Sequence, residues 1–383
     1  MRVLVSDGSY KHSLGIVRDL GRRGIEVFTC SDVRPAIAGL SKYARGHFLV
    51  PSTDERLYIN VIEQIIQELH IDVYIPVGYN SCRAAAYSRE RLQTICKLFI
   101  SNAETIQLAA DKQRTCAIAV ELGIPVPRTF APTSIEEAIS YSYDASFPLV
   151  IKSKHEGAPF KTIYVHNASQ YKQHYNNLLR KYSFSVKSLP IVQNCLRGGG
   201  YGFFAFYLNG IMQAYFMHRR IREYPITGGS STCAESFADS RLFELGKRIL
   251  DHLQWHGAAM VEFKQDRQGD EYYLLEINPK LWGSIDLALH CGVSFPFMMI
   301  QAACGEQISF NKDYPVGVRY HWPLSGEWKG ILRRPSRFFG VMRDSLDPKV
   351  GSNVWLSDLK PNLAELLQTY MPAFVKRMIR TRV

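Results

Sequence analysis

The chain has 383 residues, 46% of them hydrophobic and 12% aromatic, enough to bury a core in two or three domains and too many for wholesale disorder. No apolar run reaches the ~18 residues of a membrane span, and the opening MRVLVSDGS turns polar too soon for a secretory signal. The formal net charge of +11 suits anionic substrates, nucleic acid or an acidic membrane surface and by itself selects none of them.

Residues 2–5 form a short buried-strand pattern that ends at Asp7-Gly8. Helical spacing follows from Ser13 to Arg23, and IEVFTC (25–30) is a second strand. This strand–helix–strand start predicts a parallel α/β unit. A helix around Val61–Leu69, a strand at DVYIPVG (72–78) and another at KLFISN (97–102) extend it through the first hundred residues. Ligands of such sheets bind at loops following strand C-termini, here Asp7–Tyr10 and Gly78–Ser81, although ordinary strand-to-helix turns carry the same residues. Eight scattered cysteines, with no CxxC pair and no zinc spacing, read as reduced thiols of a cytoplasmic protein.

A helix from Thr105 to Leu122 is expected next, stopped by Gly123 and IPVP. The pattern then changes to antiparallel α+β. PLVIKS (148–153) and TIYVH (162–166) look like paired strands, followed by a helix from Ser169 to Tyr182. Residues 189–220 are a run of strands broken by glycines and by Asn209-Gly210, a strong hairpin signal. A helix over Arg241–Leu253 precedes two strands, AMVEFKQD (259–266) and EYYLLEINP (271–279), joined by a polar turn at Arg267–Asp270.

That last hairpin brings Glu262 and Glu276 onto neighbouring antiparallel strands. Two close carboxylates repel and need a shared proton or a cation. With Asn278 they form an all-oxygen set that suits Mg²⁺ or Mn²⁺, phosphate oxygens completing the shell. A solvated surface hairpin would also hold two acids, but the apolar surroundings of Glu262 argue against it. Lys280 adds positive charge where a transferring phosphoryl group needs it.

Taken in order, DK (111–112), IPVPRT (124–129), PLVIKS, IVQNCL with its trailing glycines (191–200), VEF (261–263) and LLEINPK (274–280) resemble the ATP-grasp superfamily, near its carbamoyl-phosphate-synthase-like branch and the carboxylate–amine ligases. The resemblance covers about 103–306. It implies a Rossmann-like parallel α/β domain at 1–102, a two-lobed ATP-grasp domain at 103–310 with its lobe linker near 191–198, and a basic C-terminal extension at 311–383. It implies ATP and Mg²⁺ (or Mn²⁺) as cofactors. Lys112 and Lys152 would contact phosphates. The backbone of Gln193, Asn194, Cys195 and Leu196 would meet adenine. Glu262, Glu276 and Asn278 would hold the metal. Lys280 stands where an arginine commonly follows NP, Asn194 where an acid is common, and the loop HEGAPFK (155–161) offers one glycine, Gly157. No GxxxxGK[ST] loop is present.

HRRIREYPITGGSSTCAES (218–236) sets Arg219, Arg220 and Arg222 beside a Gly228-Gly229-Ser230-Ser231 turn, a guanidinium fork with several amides for an anion. Arg220 and this loop are expected to bind the carboxylate substrate or the γ-phosphate, with Glu223 or Glu235 positioning an arginine or an amine. Ser284 reads as a helix cap. The implied reaction makes an acyl phosphate and ADP, and an amine or similar nucleophile then displaces phosphate.

From Tyr320 onward there are eleven Lys/Arg and five Asp/Glu, so six of the eleven excess charges lie there. Leu363, Leu366, Leu367, Tyr370, Phe374, Val375, Met378 and Ile379 share one helical face, opposite Lys376, Arg377, Arg380 and Arg382. Two helices packing on the body are expected there. Peripheral membrane contact through 363–383 and a partner-docking role are the alternatives. Expected partners are small-molecule carboxylates and amines, with homo-oligomerisation left open. A non-catalytic nucleotide binder and a nucleic-acid binder remain as other readings, the last leaving EINP unexplained.

Overall fold

The computed structural model describes residues 1–51, 54–157, 160, 162–226, 228–266 and 271–371. Its first sheet holds β1 (Arg2–Val5), β2 (Glu26–Ser31), β3 (Ala44–Leu49), β4 (Val73–Ile75) and β5 (Lys97–Leu98) in the order β3-β2-β1-β4-β5, every neighbouring pair parallel. Helices α1 (Lys11–Arg22), α2 (Glu55–Leu69), α3 (Tyr79–Tyr87) and α4 (Arg89–Gln93) fill the connections. The strand order reverses between β1 and β4, the point where such sheets bind ligands. There the Asp7 carboxylate accepts from the Gly78 amide at 2.7 Å and the Ser81 hydroxyl at 2.6 Å, which ties together the two loops singled out in the sequence. Strand β3 escaped sequence reading because ARGHFL has little apolar alternation and lies at the sheet edge, mostly half-buried.

The single helix expected over Thr105–Leu122 is two, α5 (Ala103–Ala110) and α6 (Lys112–Glu121). Asp111 is extended between them, and its carboxylate accepts from the Gln113 and Arg114 amides at 2.9 and 3.1 Å. A side chain that satisfies two amides at a new helix start competes with continuing the old helix. The break places Lys112 in the first turn of α6. Its amide donates to the Lys154 carbonyl at 2.9 Å, and the Glu156 amide donates to the Ala110 carbonyl at 3.0 Å.

Next comes a small antiparallel sheet of β6 (Thr129–Phe130), β7 (Leu149–Lys152), β8 (Ile163–Val165) and β9 (Ile191–Asn194), in the order β6-β9-β7-β8, with helices α7 (Ile135–Ser140) and α8 (Ala168–Lys181). It has a core of its own, including Leu149, Ile151, Val165, Tyr171, Tyr175 and Val192.

The largest sheet is built from β10 (Gly200–Leu208), β11 (Ile211–Tyr224), β12 (Ser230–Ser236), β13 (Gly257–Gln265), β14 (Tyr272–Asn278), β15 (Arg319–His321) and β16 (Gly351–Ser352), in the order β14-β13-β10-β11-β12-β15-β16. Helices α9 (Ser240–His252), α10 (Ile285–His290), α11 (Phe295–Ala303), α12 (Glu327–Arg333), α13 (Phe338–Leu346) and α14 (Leu359–Tyr370) accompany it. Asn209 and Gly210 both take positive φ, 50° and 79°, as a tight right-twisting hairpin turn requires. The expected Arg267–Asp270 turn lies outside the described residues. The sheet does not end at residue 310: β15 pairs with β12 and β16 with β15, so the segment expected as an extension supplies two of its strands.

The parallel sheet and the large sheet share their cores. Val3, Val5, Leu14 and Val17 pack with Phe204, Phe206, Ile285 and Trp322 on one side. Leu4, Tyr74, Ile62 and Ala85 join the assembly of Phe203, Tyr207, Leu245 and Trp255 on the other. Arg18 of α1 is almost fully buried. Its guanidinium donates to Asp358 Oδ2 at 2.9 Å, the Asn353 carbonyl at 2.7 Å and Asn362 Oδ1 at 3.0 Å. The first helix is thus bolted to a segment some 340 residues later.

Asp286 of α10 lies against Gly15 of α1 and accepts from Trp322 Nε1 at 2.8 Å. Burial pushes its carboxyl up to about 6 from 3.8, against the Trp322 hydrogen bond and the charges of Lys11 and Arg18. The folded state therefore holds a proton that the unfolded chain has released between pH 4 and 6, and stability falls as pH rises through that window. Asp286→Asn removes this slope. The variant is expected to gain up to about 3 kcal/mol over the native chain at pH 7 and almost nothing near pH 4, read from urea midpoints at both pH values. Equal differences at the two pH values would refute the assignment.

Among the described residues no helix is long and apolar enough to cross a membrane. All eight cysteines are free thiols.

Candidate active site

The face of the large sheet that meets the small sheet is floored by rows of residues set by register. Glu262 on β13 lies opposite Glu276 on β14, and Met260 opposite Asn278. On the other side of β13, Glu262 faces Gly202 and Lys264 faces Gly200. The glycines keep the floor low. A Cβ on Gly200 would come within 3.0 Å of Arg220 Cδ, so glycine here leaves the Arg220 side chain room to cross β10 from β11. It crosses to reach Glu262, donating from Nη2 at 2.6 Å.

Above this floor is a cavity of about 600 Å³. Seven of the residues singled out in the sequence line it together: Lys112, Lys152, Arg220, Glu262, Glu276, Asn278 and Lys280. Each arrives from a different local cause. Lys112 comes from the helix break at Asp111, and Lys152 ends β7 of the small sheet. The two glutamates and Asn278 share one face of a hairpin because side chains two apart on a strand point the same way.

The charges are nearly balanced by contact. Lys112 Nζ lies 3.3 Å from Glu276 and 3.6 Å from Glu156. Lys280 donates to Glu156. Asn278 Nδ2 donates to Glu276 Oε1 at 3.2 Å. Burial opposes the charge of Glu276, yet Lys112, Lys152, the Asn278 amide and Lys280 outweigh it and pull the carboxyl down to about 2. Glu262 goes the other way: burial and the charge of Glu276 push it up against Arg220 and Lys152. Lys152 makes no ion pair among the described residues, and burial lowers its ammonium against the pull of Glu276 and Glu262. Arg220 Nε is buried without a hydrogen-bond partner. An unpaired cation and an unmet guanidinium donor in one cavity call for an anion.

A hard divalent cation also fits this donor set. Glu262, Glu276 and Asn278 offer only oxygen, and the two carboxylates stand on directly opposed residues, about 5 Å apart at Cβ for such pairs. Among the described residues no group of three or more His, Cys, Asp or Glu is placed to hold a metal. Oxygens of a bound anion would therefore have to complete the shell.

The other expectations are placed differently. Gln193, Asn194, Cys195 and Leu196 do not line the cavity; they lie on β9 and its connection to β10. Gln193 turns its amide to Thr129 Oγ1 at 2.9 Å. The Asn194 and Cys195 amides are taken by the carbonyls of Arg128 and Pro148 at 3.0 and 3.1 Å, and the Leu196 amide is left without a backbone partner among the described residues. Of the three arginines, only Arg220 enters the cavity. Arg219 points to the opposite face of β11 and donates from Nε to Glu235 at 2.8 Å. Arg222, beyond the bulge at Arg220/Arg222, is buried against Glu327 and Asp344 at 2.5 and 2.6 Å. Glu223, Gly228, Gly229, Ser230 and Ser231 line the cavity as expected of a substrate loop. Ser284 lines it too; it precedes α10, but its side chain makes no capping hydrogen bond.

Sequence reading missed two contributors. Glu156 bridges Lys112 and Lys280, held by a turn in which Gly157 takes φ 77°; HEG gives no signal of this beyond the glycine. Lys11 reaches in from α1. Its Nζ donates to the Ser231 carbonyl at 3.2 Å and sits 4.4 Å from the Trp322 ring centroid. Burial lowers its ammonium to about 8, against the charges of Glu365, Asp286 and Glu327. The loop after β1 thus opens onto the Ser231 end of the cavity.

A family model described as ATP-grasp in the biosynthetic pathway with Ter operon matches residues 214–322, which covers β11 through β15. The chain is 26% identical over 254 residues to human mitochondrial pyruvate carboxylase, covering 62% of this chain and 21% of that one. It is 24% identical over 185 residues to D-alanine–D-alanine ligase of Pseudomonas putida, covering 45% and 54%. The chain thus spans only about a fifth of the first of these relatives and about half of the second. The fold is that of Campylobacter jejuni biotin carboxylase in its β,γ-ATP complex (TM-score 0.66, 16% identity, 83% of this chain and 74% of that one). It is equally that of N5-carboxyaminoimidazole ribonucleotide synthetase in its ADP complex (TM-score 0.64, 15% identity, 88% and 85%). The matched segment resembles the ATP-grasp family over residues 214–322, and the strand architecture is the fold of these structures.

Proposed function

We propose that the chain is an ATP-dependent ligase that activates a carboxylate and joins it to an amine. In the first half-reaction a carboxylate oxygen of the substrate takes the γ-phosphoryl group of ATP, the bond to the β-phosphate oxygen breaks, and ADP leaves. In the second the amine nitrogen forms a bond to the acyl carbon, the carbon–oxygen bond to phosphate breaks, and the nitrogen loses a proton. The observation that carries this reading is the cavity in which Lys112, Lys152, Lys280 and Arg220 surround the facing Glu262 and Glu276.

Each residue has a role that its surroundings favour. Lys152, with no partner, meets the α- and β-phosphates, and Lys112 moves from Glu276 to a phosphate oxygen. Glu262, Glu276 and Asn278 hold Mg²⁺ (or Mn²⁺), which when bound neutralises charge on the phosphates. Arg220, freed from Glu262, turns its fork on the carboxylate or the transferring phosphoryl group, with Lys280 beside it. Of the four linker residues named for adenine, Leu196 has an amide free of a backbone partner among the described residues and is the donor offered to an adenine edge. Residues 1–102 close the acceptor end through Lys11, and 103–310 supply the nucleotide site. The ligases and synthetases among the relatives and structural neighbours named above support this reaction class.

The test is ADP release in the presence of Mg²⁺ across a matrix of carboxylates and amines, with mass spectrometry of the products. One pair should release ADP with formation of an amide of the summed mass less water. Nucleotide binding without ADP release for any pair would replace the ligase with a binding protein. Lys152→Met is expected to lower kcat/KM for ATP by roughly 10²-fold at unchanged stability.

A further inference from the structure

Helix α14 is inside-out. Its buried face consists of Pro361, Asn362 and Glu365, while Leu359, Leu363 and Leu366 are exposed. Asn362 is engaged by Arg18, and Glu365 by Ser325 and Asn353, so the polar face is fixed inward. A surface helix ordinarily buries its apolar stripe. Of the two helices expected to pack on the body, the first does so, but through its polar side, with Leu363 and Leu366 exposed and Leu367 and Tyr370 half-buried; the second, with Phe374, Val375, Met378 and Ile379, lies outside the described residues.

Helices α12 and α13 also leave large apolar side chains outside, although α13 buries Val341 beside Asp344. Leu332, Phe339 and Leu346 are 83%, 80% and 75% exposed, with Trp328 and Phe338 also at the surface. Most of the acid in this segment is withdrawn from the surface: Glu327 and Asp344 are buried and occupied by Arg222 and His321, while Asp347, the C-cap of α13, is exposed. Arg333, Arg334 and Arg343 are exposed. The two apolar surfaces are neighbours, since Lys329 Nζ on α12 donates to the Thr369 carbonyl on α14 at 2.5 Å and the Tyr370 hydroxyl to the Pro323 carbonyl at 3.2 Å. Beyond Met371 the sequence continues with four Lys/Arg and no Asp/Glu in twelve residues.

We infer that the surface formed by α12, α13 and α14 docks on an anionic phospholipid bilayer. Exposed leucine and phenylalanine enter the headgroup boundary while the arginines meet lipid phosphates. Apolar surface of this extent is rare on a monomer that has no use for it. A second copy is disfavoured by the charge: a two-fold contact sets Arg333, Arg334 and Arg343 against their own kind. The segment also touches the site described above: Arg337 of the connecting turn donates to the carbonyl of Glu223, which lines the cavity, at 3.0 Å.

Sedimentation of the full chain with vesicles of phosphatidylcholine alone, and of equal parts phosphatidylcholine and phosphatidylglycerol, tests the inference. The protein is expected to pellet with the anionic vesicles, and high salt should release it. Leu332→Asp with Phe339→Asp, and separately Arg333→Glu with Arg334→Glu, should each weaken that binding at least about tenfold while urea midpoints stay unchanged. Equal pelleting with both vesicle types, none with either, or binding indifferent to both pairs of substitutions would overturn it. So would a concentration-dependent dimer in sedimentation velocity that the Leu332→Asp, Phe339→Asp protein no longer forms.

Discussion

Glu276→Gln should lower substrate-dependent ADP release by about 10²- to 10³-fold, the scale for removing one group that manages charge in a transition state. The substitution keeps the shape and still accepts from Asn278, which sits 3.2 Å away. What it removes is the charge that faces Glu262 and holds Lys112. A second readout is independent of turnover. The folded carboxyl of Glu276 is pulled down to about 2, so its pairing stabilises the chain above the ordinary carboxylate range and is lost as pH falls toward 2. The variant should lack that acid-dependent part of the stability curve. Wild-type turnover in Glu276→Gln would leave the proposed chemistry without its metal ligands.

Arg222→Met should cost about 3–5 kcal/mol of folding stability, the range for stripping one partner from a buried charge group. The guanidinium lies between Glu327 and Asp344, both carboxylates buried. His321 Nδ1 is 3.0 Å from Glu327, and Arg319 is 3.5 Å from Asp344, so neither acid is left wholly alone, which holds the expected loss within that range. Adding Glu327→Gln and Asp344→Asn should recover a large part of it by removing the stranded charges. A urea midpoint for Arg222→Met equal to that of the native chain would show that α12 and α13 are held by other contacts. ADP release per folded molecule should be little changed, since Arg222 does not line the cavity.

Much of the site was legible because it lies on regular strands. LLEINPK and VEF fixed both the elements and the face of Glu262, Glu276 and Asn278, since period-two alternation and a short connection leave little freedom. Asn209-Gly210 named its own turn. The parallel start announced the switch-point loops, though not that Lys11 would cross to the far sheet. The misses share a cause: one side chain overruled a local pattern. Asp111 capped a new helix inside a continuous helical stretch. In HRRIRE a bulge after Arg220 sent Arg222 away from the cavity. Arg18, from the other end of the chain, turned the polar side of α14 inward. Helical periodicity showed that Leu363 and Leu366 share a face; it could not say whether that face looks in or out.

The shared cores have a consequence for biosynthesis. Strands β1 and β4 bury Val3, Val5 and Val73 beside Phe204, Phe206 and Trp322, and Arg18 waits for Asp358. While the ribosome is still adding the second half, the nascent parallel sheet has an open apolar flank and an unmatched internal guanidinium. Such a chain closes late and over long sequence separations, which slows folding and leaves sticky surface exposed meanwhile. Residues 1–102 expressed alone should therefore aggregate or need a chaperone, although their strand pattern is that of a self-sufficient domain.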